Sequence, residues 1–474
     1  MQIQSSHKSR YNNFFFDINI DLKKLKAFIA AFLGTVVENY DYALYGYLGV
    51  ILAAKFFPET SDPSVALMRQ FGVFALGFLA QPLGSYIFGS IGDKYGRKHA
   101  LRWSIIGIAL PTTIIGCLPD YSKLGWIATA ILLICRISQG VFISAEGDGV
   151  EIFVYETISK RWACLGNSLV VVSYRIGFSL ASFLSGFVLS NRFAHLEWAW
   201  RIPFFIGGAL GLFTLWFRVN LIESYDYILN RVNAKSKIPD SYLKTIWENK
   251  GQVFVTFIIA GCFGGTAVFY LTFWNNYLNQ TLNLFSTSEA CYRTSFLTLM
   301  YIFFVPMGAF ICDQVRSLIP PLRIATVLLF CMVIANAWCI HYYNYISTSL
   351  MACTIFAMAF FHAPIYILLM RLFDVSVRYR CLSIGHAFGS IIISSTTPLV
   401  STYFWQKLQM PAAPLLYCAS LVFTCFIAIN FAKPKLPEVI DYHKKDKLTE
   451  EELEDFLESE PMISVVCSGE KEIL

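Results

Sequence analysis

The chain has 474 residues, 56% of them hydrophobic and only 15% charged. A soluble domain carries about 25% charged residues; here the deficit is spread along the chain in apolar runs about 20 residues long, the length that spans a bilayer as a helix. A soluble fold is excluded, the short alternating segments of a membrane β-barrel are missing, and the net charge of +5 sits in short loops, so no nucleic-acid partner is expected.

Hydropathy predicts an all-α polytopic membrane protein with twelve transmembrane helices in two six-helix, pseudo-symmetric bundles set in the lipid bilayer. Residues 1–23 form an N-terminal segment without the pattern of a cleavable signal peptide. The first bundle covers 24–219, with spans at about 26–54, 68–91, 99–118, 124–156, 162–190 and 200–219. A polar connector occupies 220–250. The second bundle covers 251–432, with spans at about 252–279, 290–312, 321–342, 348–373, 380–405 and 412–432, and a tail from 433 to 474, acidic from Thr449 to Glu460, closes the chain. The basic residues of the loops, Lys94, Arg97, Lys160, Arg161, Arg378 and Arg380 among them, fall mostly on one side. That side, with both termini, is expected to be cytoplasmic, in the cytoplasmic (inner) membrane.

The first span carries Glu38, Asp41, Tyr42 and Tyr45 at i, i+3, i+4 and i+7, one face of a helix. Two carboxylates and two phenols there suit either a path for a proton and a polar solute or a polar contact that holds the bundle. After the second span, GSIGDKYGRK places Gly89, Asp93 and Arg97 at a helix end. The equivalent loop of the second half, GAFICDQVR, repeats the pattern with Asp313 and Arg316, Asp313 standing one residue further from its glycine. Internal repeats of this kind mark transporters, with binding near the midplane between the halves. Physically the loop suits a cytoplasmic latch, with Asp93 capping a helix or pairing with Arg97; the plainer reading is a tight basic turn that only fixes topology.

The fourth span contains RISQGVFISAEGDGVEIFVYE, Arg136 to Glu156. One ionised side chain at the centre of a spanning helix costs roughly 2.5–3.5 kcal/mol on insertion scales, so Arg136, Glu146, Asp148 and Glu151 need a watery cavity or partner charges. At about 100° per residue Arg136 and Gln139 share a face, Glu146 lies about 80° away, and Asp148 about 160° round from Glu146. Arg136 and Glu146 are therefore assigned to the cavity, and Asp148 and Glu151 are either ion-pair struts or a second polar path. Arg175, in the fifth span, reads as the lone strong cation deep in the first half: it either recognises a substrate carboxylate or serves as counterion to Asp148 or Glu151.

His362 and His386, in the tenth and eleventh spans, are candidate proton relays or hydrogen-bonded packing residues. The tail segment LTEEELEDFLES has capping-box spacing at Thr449 and Glu452 and reads as a short amphipathic helix or a solvated acidic tail. Thirteen cysteines without a CxxC pair read as small buried residues. No metal-ligand cluster or nucleophile–base pair stands out, so neither an enzyme nor a cofactor is expected.

Taken together, these segments resemble the major facilitator superfamily. Within it they look like the metabolite:proton symporter family, which includes proline/betaine osmolyte transporters and citrate and α-ketoglutarate permeases. The resemblance covers roughly residues 24–432 and rests on ENYDYALYG, QPLGSYIFGSIGDKYGRK, RISQGVFISAEGDG, EWAWRIPFFIG and VRYRCLSIGHAFG. It implies alternating access of two six-helix bundles, uptake driven by a proton gradient, and a protein that works as a monomer. It also implies substrate and proton roles for Glu38, Asp41 and Glu146, and latch or gating roles for Asp93, Arg97 and Arg136. The family carries Arg, tied to substrate carboxylates, where this chain has Gln81, and neutral residues where Asp148, Glu151 and Arg175 stand. The anion site has moved, or the substrate class has changed. The Gly-x-x-x-Gly-Pro pattern of superfamily antiporters is missing from the fifth span, which disfavours an exporter. The expected function is proton-coupled import of a small carboxylate or zwitterion, with Arg175 on the carboxylate and Glu38, Asp41 or Glu146 on the cationic or protonated part. The alternatives are a polycarboxylate such as a siderophore, a cationic metabolite, or a membrane sensor that does not transport.

Overall fold

A bilayer offers no water to backbone N–H and C=O groups, and only a helix satisfies them within its own segment. The computed structural model follows that rule: no strand occurs among the residues it describes, which are 22–58, 63–157, 160–188, 196–219, 221, 223–224, 227, 241–274, 277–278, 282, 284, 287–315, 318–343, 347–362 and 364–434. Arg316, most of the connector and the expected helix at Thr449 lie outside the described residues.

The first half is built of α1 (Leu22–Phe56), α2 (Pro63–Tyr95), α3 (Arg97–Cys117), α4 (Trp126–Thr157), α5 (Ala163–Val188) and α6 (Ile202–Val219). The second is built of α7 (Lys250–Val268), α8 (Thr287–Val315), α9 (Ile319–Tyr343), α10 (Thr348–His362), α11 (Arg378–Gly389) and α12 (Ala413–Phe431). Nine of the described helices are long and apolar enough to cross a membrane. The remaining spans are α1, α2 and α11. In α1, 35 residues long, Glu38, Asn39 and Asp41 interrupt the apolar run.

Three spans differ from the uninterrupted helices expected from hydropathy, the first being α7, which runs on from Val268 into a π-helical turn, Phe269–Phe273. α10 stops at His362 and resumes beyond Pro364 as Ile365–Met370, because proline cannot donate the backbone bond that would continue the helix. α11 passes through a π-helical turn, Ser390–Ser394, before continuing as Thr397–Leu408.

Packing repeats between the halves. In the first, α1 lies on α5, α2 on α4 and α3 on α6; in the second, α7 lies on α11, α8 on α10 and α9 on α12. The halves meet through α2 against α11 and α5 against α8. The ends of the connector are not bare linker. Tyr242–Glu248 is a short helix whose first turn donates from Lys244 N to Ser241 Oγ at 3.4 Å. Glu223 lies half-buried at the start of α3, where it accepts from Arg97 N at 2.9 Å and Lys98 N at 3.2 Å. Those N–H groups have no partner within their own helix. Burial raises the Glu223 carboxyl above its usual range, against the pull of the N–H groups and Arg97. Gly96 makes this seat possible: its φ is 100°, and a Cβ there would lie 2.1 Å from Glu223 Oε2.

Candidate functional site

The polar face of α1 meets α3 and α4 in the middle of the first half. Asp41 accepts a hydrogen bond from Thr112 Oγ1 and another, 3.0 Å, from Gln139 Nε2. Arg136 Nη1 donates to Gln139 Oε1 at 3.0 Å, and its guanidinium lies 4.2 Å from the centre of the Tyr45 ring. Arg136 and Asp41 are thus joined through Gln139, as the shared helix face of Arg136 and Gln139 suggested. Asp41 and Arg136 are both buried, and Asp41 Oδ2 has no hydrogen-bond partner. Tyr42 packs edge-on against Phe78 and Phe178. Gln81 lies half-buried on α2, one turn beyond Gly77, whose Cβ position is 3.5 Å from the Arg136 guanidinium.

Glu146, expected on a cavity wall, takes its partner from a neighbouring helix. It is fully buried in a bidentate ion pair with Arg218 of α6, which also donates to Leu101 O at 2.6 Å, and it accepts from Ser104 at 2.5 Å. The rotation of Glu146 away from Arg136 carries it to the α3–α6 side of the helix. Arg218 was not visible as an interior charge in the sequence, because it stands at the end of an apolar run where basic residues ordinarily mark the interface. Arg175 is therefore not the lone cation of the first half.

Between the halves lie the carboxylates of the second set. Asp148 pairs with His386 of α11 at 2.5 Å. Glu151 accepts from Asn167 Nδ2 at 2.6 Å and from the Tyr174 hydroxyl at 3.0 Å, both on α5. Arg175 pairs with neither of the two carboxylates: its guanidinium lies 5.3 Å from the centre of the Tyr301 ring on α8, and its buried Nε has no hydrogen-bond partner. Tyr301 in turn shares a 2.7 Å hydrogen bond with His362 Nδ1, and His362 Nε2 meets Thr266 Oγ1 at 3.2 Å. Glu38 sits at the same level beside Gly147, buried, with Oε2 lacking a partner.

At the end that carries the basic loops, the halves are tied together. Asp93 accepts from the backbone N–H groups of Tyr379 (3.2 Å) and Arg380 (3.1 Å) at the start of α11, and from Arg380 Nε at 3.0 Å. Its separation from Arg97 is longer, 3.5 Å. Arg97 instead holds Glu156 (2.9 Å) and Val375 O (2.8 Å), and Arg378 reaches the same Glu156 at 2.7 Å. The expected Asp93–Arg97 pair is the weaker part of a network to which the second half supplies Val375, Arg378, Tyr379 and Arg380, and α4 of the first half supplies Glu156. Asp313 mirrors Asp93: it accepts from Cys164 N at 3.1 Å and Leu165 N at 2.9 Å at the start of α5. A carboxylate on free helix N–H groups is favoured both by hydrogen bonding and by the helix dipole. Gly89 and Gly92 let α11 approach: a Cβ at Gly89 would lie 2.8 Å from Arg380 Cα, and one at Gly92 would lie 1.9 Å from the Tyr379 ring. Glu156, Arg378, Arg380 and Tyr379 were missed in the sequence, since nothing in their local spacing shows partners on the opposite half.

Known proteins place this architecture. The family model of the Major Facilitator Superfamily matches residues 28–395. A Staphylococcus aureus (strain COL) protein named "Putative proline/betaine transporter" is 30% identical over 421 residues, covering 87% of this chain and 89% of that protein. The proline/betaine transporter of Salmonella typhimurium is 36% identical over 211 residues, 43% of this chain and 41% of that one. Among solved structures, the proton:xylose symporter XylE bound to 6-bromo-6-deoxy-D-glucose superimposes with a TM-score of 0.71 at 14% identity, over 87% of this chain and 96% of XylE. The human organic anion transporter MFSD10 does so with 0.59 at 14% identity, over 86% and 99%.

Proposed function

The chain belongs to the Major Facilitator Superfamily, a family of transporters rather than of enzymes, and on that premise we propose that it is a symporter importing a small zwitterion of the proline or betaine kind together with protons. The observation that carries the coupling is the row Arg136–Gln139–Asp41–Thr112, buried where α1, α3 and α4 meet, with one Asp41 oxygen lacking a donor. A buried carboxylate oxygen without a donor is costly as an anion, and a proton taken from the open side satisfies it. Glu38 offers a second such oxygen. Gln81 and Gln139 supply neutral amides to the same path, with Tyr45 flanking the cation.

The solute's carboxylate is assigned to Arg175. Its unpartnered Nε is a donor awaiting an acceptor, and a planar guanidinium recognises carboxylates in bidentate fashion. Glu38, a buried carboxyl of α1, suits the positive nitrogen of a zwitterion. The basic end faces the cytoplasm, as the excess of Lys and Arg in its loops favours, so both termini lie in the cytoplasm and the ties at Asp93, Arg97 and Asp313 act as an inner gate. The protein works as a monomer in the cell membrane.

Uptake of labelled proline and labelled betaine into proteoliposomes tests this reading. Accumulation is expected when the outside is made acidic, and abolition by a protonophore. Uptake indifferent to the imposed pH gradient overturns symport; no uptake of either solute overturns the substrate class.

A further inference from the structure

We infer that Asp148 and His386 form a second proton-binding site, assembled across the two halves only while the basic end is closed, and that it suppresses opening of the proton-loaded, empty carrier. The inference rests on the transport reading above and extends it from substrate binding to the timing of the gate.

The geometry is specific. α11 crosses the first half along a line of contacts that starts at Asp93 on the N–H groups of Tyr379 and Arg380. It continues with the Tyr379 hydroxyl donating to Ala145 O at 2.6 Å, and ends with His386 Nδ1 at 2.5 Å from Asp148 Oδ1. Tyr379 and His386 are seven residues apart, two helical turns on one face. Within this line only the last contact joins an imidazole to a carboxylate, the pair whose charge changes near neutral pH. Asp148 is 4% exposed and His386 26% at the side chain, so the histidine is the less enclosed of the two.

The surroundings favour holding a proton there. From α4, Glu146 and Glu151 lie near Asp148, Glu146 already neutralised by Arg218. From α1, Glu38 adds a carboxyl without a donor on Oε2. The continuation of α10 contributes Tyr366, whose ring lies 5.9 Å from that of His386, and α5 contributes Tyr174, bonded to Glu151. α2 meets α11 with Asp93, bonded to Arg380, and Tyr379 on α11 itself is bonded to Ala145. α7 meets α11 with Thr256 and with the backbone of Phe257 and Gly261. The neighbours are acids and phenols, and the adjoining arginine of the line is bonded to Asp93.

The sign follows from linkage. A protonated His386 forms a charge-assisted bond to Asp148, so the closed arrangement binds the proton more tightly than an arrangement in which α11 has moved away from α4. A ligand bound more tightly by one state shifts the population toward it, so acidity closes the basic end and alkalinity loosens it. When bound solute opens the gate, the pair separates, His386 loses its carboxylate, and the proton leaves on the basic-end side. The unloaded carrier, lacking that proton, returns freely.

The test uses wild type, H386Q and D148N in two readouts. Spin labels at Lys94→Cys and Arg323→Cys, exposed positions on the basic end of each half, report closure without any solute. In wild type the long-distance fraction is expected to rise at least about fivefold from pH 5.5 to 8.5, and in H386Q to stay constant across that range. In proteoliposomes, the ratio of gradient-driven accumulation to equal-pH exchange of labelled proline is expected to fall at least about fivefold in H386Q. A pH-dependent distance that persists in both H386Q and D148N overturns the inference. Because the distance readout needs no substrate, failure of proline uptake with the distance result intact overturns the substrate reading and leaves the gate standing.

Discussion

Arg218 closes on Glu146 as a fully buried, bidentate pair between α6 and α4, with Ser104 and the Leu101 carbonyl completing its shell. Removing one member of such a pair leaves an uncompensated charge in a dry site and costs roughly 3–5 kcal/mol. R218Q and E146Q are each expected to lower the melting temperature of purified protein sharply. The double variant, which buries no charge, is expected to recover much of that loss. Thermal unfolding in detergent checks both, and a stable E146Q protein would return Glu146 to the list of pathway residues.

Arg175 is expected to act on substrate affinity. A hydrogen bond between charged groups contributes about 1.5–3 kcal/mol, so R175Q is expected to raise the KM for proline roughly tenfold to a hundredfold. R175K, which keeps charge without the planar fork that lies over Tyr301, is expected to fall between. Initial uptake rates over a range of proline concentrations decide it; an unchanged KM in R175Q would remove Arg175 from the site.

Asp93 is expected to act on closure. D93N keeps the shape but weakens the acceptor facing Arg380 and the start of α11. With Cys381, buried on α11 beside Asp93, kept as the sole cysteine, D93N is expected to raise its rate of maleimide labelling about tenfold, equivalent to roughly 1.4 kcal/mol of lost closure. Equal rates would mean that the Arg97–Glu156–Arg378 cluster holds the gate alone.

Gly92 offers a steric counterpart. The Cβ of G92A would fall 1.9 Å from the Tyr379 ring, a ring pinned by its hydroxyl at Ala145 O. G92A is expected to prop the basic end open and to cut proline accumulation at least about tenfold, whereas G92A/Y379A, which removes the obstructing ring, is expected to regain closure in the same labelling assay. Persistence of the defect in the double variant would place the clash elsewhere.

The apolar runs disclosed the helices, and the spacing of Arg136 and Gln139, three residues apart on one face, disclosed a contact that the structure contains. What stayed hidden were partners separated by most of the chain. Asp148 and His386 are 238 residues apart, and Glu156 and Arg378 are 222 apart; neither pairing has a local signature. Arg218 was hidden for another reason: a cation at the end of an apolar run reads as an interfacial anchor, and only the packing of α6 on α3 turns it inward. The break at Pro364 was legible in principle from the proline itself.

Asp93 on the start of α11 and Asp313 on the start of α5 make the same bond in exchanged roles. The assembly is therefore fastened like a box with a clasp on each side, and releasing one clasp leaves the lid held by the other. If the two let go independently, the chance of an accidental breach is the product of two small numbers. A membrane that lives on its proton gradient loses little through a door built this way.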